Sequence, residues 1–329
     1  MSNHEDPQKY VSQLANKQFD RACRLGGQHL DKIEGELNWR DKTWTRLLER
    51  GGPDNVPPDL LRELGLYGGA AGIWADLRRT RQIVPSGIAV GLLHTGSAYP
   101  DDISESGVLY HYPTTQRSGH DETEIEATQS ASKHKMPVFV ITHSSKGNFR
   151  DVHRAFVLDW DDTSRIFLIS FSDVESVTPL LSAMEEDESP FALTAEPSKK
   201  KREINVRDDQ PGFKFRVLRR YGPKCAVCSI RFPELLDAAH IREIRHKGSN
   251  DARNGIVLCA THHRAFDRGL FWIEPDSLRI IVTPGTLSRE DLGITIDSLK
   301  SMPRPPHADA IQWRWERSNQ RGALLIEAH

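Results

Sequence analysis

Residues 258–267 read LCATHHRAFD, and the adjacent pair His262 and His263 decides how the C-terminal half of the chain is read. If both bind one ion, the segment is an arm of a structural metal site. If they face different ions, it is the corner of an active site. Upstream lies CAVC (225–228), and the quoted stretch itself contains CATH (259–262). Two such short turns each present two soft ligands and can close a tetrahedral site around zinc. Cys225, Cys228 and Cys259 thus cluster while Cys23 stands alone, which suits reduced, metal-binding thiols better than a disulfide framework. Cys23 is expected to be an ordinary buried thiol.

Between and after the knuckles lie DAAHI (237–241), Asn254-Gly255, His263 and Asp267. A four-ligand zinc site does not call for His240 or Asn254, so they need another explanation. His263 and Asp267 stand at i and i+4, on one face of a helix, where both can reach a single ion. Taken together, CAVC…DAAHI…NGIVLCATHHRAFDRGLFWI (225–273) resembles an HNH endonuclease of the restriction-enzyme type, whose ββα-metal fold holds one catalytic ion.

The resemblance implies that His240, on a strand, is the general base, that Asn254 orients it, and that His263 binds the catalytic ion with Asp267. Cys225, Cys228, Cys259 and His262 are left for a structural Zn2+. Phosphodiester hydrolysis needs an in-line nucleophile and a cation near the phosphate, and a neutral imidazole suits the base. Mg2+ or Mn2+ suits the ion, since both favour oxygen ligands and retain water. Many such enzymes carry a metal ligand just before the base, where this chain has Ala239. Asp237 is the substitute, although on a strand it faces the side of Ala239 rather than that of His240.

A chain of 329 residues, 37% apolar and 27% charged, describes a soluble protein with room for two domains. It has no apolar run of membrane-spanning length, and MSNHEDPQKY lacks the apolar core of a signal peptide. A cytoplasmic protein without a membrane partner is the expectation. The net charge of −2 excludes a uniformly cationic surface but not a local basic stripe. Ten Lys or Arg against three acids between Lys199 and Lys224 read either as such a stripe or as a solvated linker with charge blocks.

The fold class is α+β. Residues 1–59 form a helical segment of two or three helices, ended by GGPDNVPP. Residues 60–178 carry short β-rich runs, GIAVGLL, GVLYHY, PVFVIT, RAFVLDW and RIFLISF, interrupted by one helix, DETEIEATQSASKHK. Residues 179–204 are a linker, low in apolar content. Residues 205–329 hold the nuclease domain and a C-terminal extension whose chemistry is not legible.

Within the β-rich part, AVGLLHTGSAYPDDISESGVLYHYPTT (89–115) resembles the SRA or YDG domain, a PUA-type twisted β-barrel that flips a modified cytosine out of duplex DNA. The resemblance implies that the flipped base stacks between Tyr99 and Tyr112, with Tyr110 nearby, while Asp102 accepts a hydrogen bond from the cytosine amino group. The family's Gly-rich run after the second Tyr is replaced here by PTTQRSG.

The combined expectation is a modification-dependent DNA endonuclease of the type IV kind, acting in restriction of foreign DNA. It would recognise 5-methylcytosine or 5-hydroxymethylcytosine in double-stranded DNA and cut with a one-metal HNH site. One such site cuts one strand, which favours a homodimer. Two alternatives stay open: an HNH nuclease sensing phosphorothioate linkages or a protein partner, and a zinc-stabilised DNA-binding protein without catalysis.

Overall fold

The computed structural model describes residues 7–68, 72–94, 103–115, 119–172, 187–194 and 209–317, with side chains from residue 28 onward. Cys23, Tyr99 and Asp102 lie outside the described side chains, as does most of the linker read at 179–204. The chain divides into two compact units, Met1–His94 with Pro113–Phe156, and Thr95–Tyr112 with Val157–His329.

In the first unit, the expected two or three N-terminal helices are one helix, α1 (Pro7–Glu49). No proline interrupts the chain between Pro7 and Pro53. Gly26 and Gly27 cost roughly 1 kcal/mol each but, unlike proline, remove no N–H from the ladder. Glu36, Arg40, Thr43 and Leu47 line the buried face of α1. Arg40 is fully buried; its Nε donates to Glu36 and its Nη1 to the carbonyls of Ala89 and Pro137, where two strands begin.

The strands of this unit are β1 (Ile73–Ala75), β2 (Ala89–His94), β4 (Val138–His143) and the first part of β5 (Arg150–Asp161), in the order β1-β2-β4-β5. The β2/β4 pair is parallel and the others are antiparallel. A parallel pair needs a crossover, which α4 (His120–Lys133) supplies. Two short helices, α2 (Pro58–Glu63) and α3 (Leu77–Thr80), complete the unit. Leu47, Leu60, Leu61, Leu64 and Leu66 form its core with Val90, Phe139, Ile141 and Val152. At Gly91 an added Cβ would fall 2.2 Å from the Leu66 carbonyl oxygen, so only glycine lets the backbones approach.

In the second unit, the end of β5 neighbours β6 (Ile166–Ser170), which pairs antiparallel with β3 (Gly107–His111). The five expected strand runs all form, but no closed barrel exists among the described residues, because β1 and β3 remain outer strands. A parallel pair bridged by a helix builds an open α/β arrangement, whereas a barrel needs every edge paired.

Leu109, Ile166 and Leu168 share a core with α5 (Gln210–Tyr221), whose Phe213, Phe215, Val217 and Leu218 are buried, and with the ββα module. That module is β7 (Leu236–His240) antiparallel to β8 (Gly255–Cys259), followed by α6 (Ala260–Arg268). A hairpin of β9 (Phe271–Ile273) and β10 (Ile280–Val282) comes next, then α7 (Ala308–Trp315). Within the segment read as linker, residues 187–194 pack on this unit. Arg253 donates to the Ser189 carbonyl at 3.0 Å, and the Phe191 ring stacks on His307 with centroids 3.8 Å apart. Among the described residues no helix is long and apolar enough to cross a membrane.

Candidate active site and metal centre

The knuckle residues meet as their spacing predicts. Cys225, Cys228, Cys259 and His262 are all buried, and their ligand atoms lie within 4.8 Å of one another. His262 Nδ1 sits 3.0 Å from Cys259 Sγ and 3.7 Å from Cys225 Sγ. Its other nitrogen, Nε2, lies 2.9 Å from the Leu292 carbonyl. A carbonyl only accepts, so Nε2 carries the proton and Nδ1 is left with its lone pair towards the thiols. Burial pushes the Cys225 and Cys259 thiols up and the His262 imidazole down. Three thiols and one correctly tautomeric imidazole make a donor set fit for a zinc ion.

What supports this cluster has no signature in the residue pattern. Thr295 and Ile296 donate their backbone N–H groups to the Val227 carbonyl at 3.0 and 3.3 Å, and Leu292 holds His262. Residues 292–296, whose chemistry was not legible, therefore form the outer wall of the centre.

His240 ends β7, is buried, and stacks on Phe213 with ring centroids 3.6 Å apart and planes 11° apart. Its Nε2 lies 2.9 Å from Asn250 Oδ1. Since that oxygen only accepts, the proton sits on Nε2 and the Nδ1 lone pair is available to take a proton. Burial, opposed by the Asn250 hydrogen bond and reinforced more weakly by the neighbouring His263 and Arg216, lowers the His240 pKa to about 4. The ring is neutral at pH 7.

Asn254 is placed differently from the role implied for it. Fully buried, it accepts from the Arg242 N–H at 2.9 Å and donates to the carbonyls of Arg242 and Ser249 at 3.1 and 2.8 Å. It clamps the loop between β7 and β8, while Asn250, within that loop, touches the imidazole. No signal in the sequence singled out Asn250.

His263 and Asp267 do share a face of α6, with His263 Nε2 3.6 Å from Asp267 Oδ2. Asp237 is at the opposite nitrogen, its Oδ2 3.2 Å from His263 Nδ1 and its Oδ1 3.9 Å from the Lys214 ammonium. The two carboxylates thus flank the imidazole instead of converging on one point. Donor chemistry fits a divalent ion on the His263 and Asp267 side, with Asp237 holding the ring from behind.

Of the residues implied for base recognition, Tyr110 and Tyr112 belong to the second unit and are buried. The Tyr112 ring lies 4.5 Å from that of Phe167, and its hydroxyl donates to Asp162 at 2.8 Å.

An HNH endonuclease family matches residues 225–274. Among solved structures, a chain described as a modification dependent TagI restriction endonuclease is similar at 18% identity and TM-score 0.31, over 81% of this chain and 93% of that one. The type IV phosphorothioation-dependent restriction endonuclease ScoMcrA is similar at 12% identity and TM-score 0.24, over 64% of each chain. No curated protein matches. Residues 225–274 are an HNH endonuclease domain, and the chain that carries them is a nuclease.

Proposed function

We propose that this nuclease is a modification-dependent DNA endonuclease, hydrolysing phosphodiester bonds of double-stranded DNA at the His240–His263 site and selecting modified cytosine through its β-rich part. The observation that carries the catalytic reading is the state of His240. It is held neutral by burial, with Nε2–H on Asn250 and Nδ1 unprotonated, on a ββα scaffold that sets His263 and Asp267 alongside.

In this reading His240 Nδ1 takes the proton of the attacking water. Asn250 fixes the tautomer, and Phe213 keeps the ring dry. Asn254 holds the loop that carries Asn250. His263 and Asp267 would hold a divalent ion, Mg2+ or Mn2+, which when bound offsets negative charge on the phosphate and the leaving oxygen. Asp237 keeps His263 oriented by accepting from its Nδ1–H. Cys225, Cys228, Cys259 and His262 would hold Zn2+ and stabilise the module.

The choice of 5-methylcytosine or 5-hydroxymethylcytosine rests on the resemblance of residues 89–115, with Tyr99 and Asp102 as the residues that stack on and hydrogen-bond the flipped base. Tyr112, the second stacking position implied by that resemblance, has its ring against Phe167 and its hydroxyl on Asp162. One base and one ion cut one strand, so two copies of the chain act together for a double-strand break.

The test is magnesium-dependent cleavage of one plasmid in unmodified, fully methylated and hydroxymethylated forms, by wild type and His240→Ala. Cutting of the modified plasmids by wild type alone is expected. Activity that survives in His240→Ala would remove His240 as the base. Equal cutting of all three plasmids would end the modified-cytosine reading and leave the nuclease standing.

A further inference from the structure

We infer that the loop following His240 and the end of α7 together form a docking surface for the DNA phosphate backbone; the inference rests on the nuclease reading and extends it. The loop IREIRHK (241–247) carries Arg242, Arg245, His246 and Lys247 against one acid, Glu243. That carboxylate is already engaged, with Arg245 Nη2 at 2.9 Å, Arg314 Nη1 at 3.2 Å and His246 Nε2 at 3.4 Å. Arg245, His246 and Lys247 are exposed.

From α7, Trp313 faces this loop, and Arg317, one turn further on, places its guanidinium carbon 3.7 Å from the indole centroid. Arg242 brings a second guanidinium to 5.0 Å from the same centroid, and the His246 ring lies 5.5 Å away. Among the described residues neither Arg242 nor Arg317 forms an ion pair with a carboxylate. The two cations repel: after burial, the field of Arg317 is what lowers the Arg242 pKa. Gathering like charges on one ring is unfavourable in the free protein, and an anion laid across them relieves it.

Three further features select the ligand. The indole is already flanked by two guanidiniums and an imidazole, so the surface offers cations rather than an open ring for stacking a base. This is the chemistry of phosphate contact and not of base readout. The cations are held in place: Asn254 grips Arg242 at both its N–H and its carbonyl, Arg242 Nε donates to the His246 carbonyl at 2.9 Å, and buried Arg314 donates to the Ile241 carbonyl at 3.3 Å. The surface also borders the site, because Arg242 lies two residues beyond His240 and the field of Asp267 reaches Arg245. A strand bound here would run past the reacting phosphate.

The experiment measures the affinity of the full chain for a DNA duplex across a series of salt concentrations, in a His240→Ala background that prevents cutting. Lys247→Gln, Arg317→Gln and Arg317→Lys are compared with that parent, each with its zinc content and melting midpoint recorded. Each charge removed is expected to flatten the slope of log K against log salt by about 1 and to weaken binding equally for all sequences. Arg317→Lys should keep the slope. Unchanged slopes in folded, zinc-loaded Lys247→Gln and Arg317→Gln would overturn the inference, as would Arg317→Lys losing as much as Arg317→Gln. Tighter binding of duplex RNA than of duplex DNA would reassign the surface and overturn it too. Cleavage by wild type in parallel separates the two failures: a chain that cuts DNA yet shows unchanged slopes loses only the docking surface.

Discussion

The imidazole of His240 lies face to face on the ring of Phe213, with centroids 3.6 Å apart, and this contact links a helix outside the ββα module to the proposed base. Phe213 is fully buried, and α5 can approach this closely because residue 255 is glycine. A Cβ there would fall 2.8 Å from Phe213 Cζ and 2.4 Å from Val217 Cγ2. Removing the ring should admit water to His240. Phe213→Ala is expected to raise the His240 pKa from about 4 towards roughly 6.5 and to move the acid limb of the kcat/KM profile upward. It should also cost about 3–5 kcal/mol of stability. Gly255→Ala should shift the same limb in the same direction by displacing α5. An acid limb that stays put in both variants would detach Phe213 from the base.

The same burial makes stability depend on pH. The folded-state pKa of His240 is depressed, so between about 4 and roughly 6.5 the unfolded chain binds the extra proton. Stability from this residue is therefore complete above pH 6.5 and lost as pH falls through that window, reaching a loss of about 3 kcal/mol near pH 4. Urea midpoints measured from pH 7 to pH 4 should fall more steeply in wild type than in His240→Gln. Parallel curves for the two proteins would rule out His240 as the source.

Asn250 and Asn254 should separate in their effects. Asn250→Ala leaves the His240 tautomer unset, and kcat is expected to drop by about ten- to a hundredfold with KM and zinc content little changed. Asn254→Ala strands the buried Ser249 carbonyl, at about 1–3 kcal/mol for a buried group left without a partner, and frees the part-buried Arg242 N–H and carbonyl at smaller cost. Its lesion should appear first in thermal stability. Steady-state kinetics paired with melting curves tests the division, and equal loss of kcat at unchanged stability in both variants would argue against it.

The adjacent histidines of the LCATHHRAFD segment should fail in different ways. His262→Ala removes a ligand from a buried Cys3His cluster, and metal analysis is expected to show zinc lost and the second unit destabilised. His263→Ala should keep its zinc and its melting midpoint while losing magnesium-dependent cleavage. Chelation that strips zinc from wild type should reproduce the first variant and not the second. Zinc lost equally from both would mean that the two side chains serve one ion.

Much of the site is legible in the residues because covalent spacing sets the relevant distances. A Cys-x-x-Cys turn brings its sulfurs together wherever it occurs, and His263 and Asp267 meet because one helical turn separates them. The strand runs are legible for the same reason, since a short β-rich run flanked by turn residues is a local property. The N-terminal helices are less so. The buried face of α1 carries Glu36 and Arg40, so apolar periodicity marks neither its burial nor its continuity.

By itself the sequence determined that residues 225–273 carry the pattern of an HNH endonuclease, that four Cys and His side chains can close one metal site, and that His263 stands outside that set. Only the tertiary structure decided that Asn250 touches His240, the proposed base, that Asp237 faces the far nitrogen of His263, that Leu292 and Thr295 wall the Cys3His cluster, and that Trp313 gathers two arginines beside the proposed site. These pairs are separated by loops or by tens of residues with no periodic spacing. Their meeting depends on where buried hydrogen bonds and packed rings hold each loop, and that information belongs to the folded core rather than to any one stretch of chain.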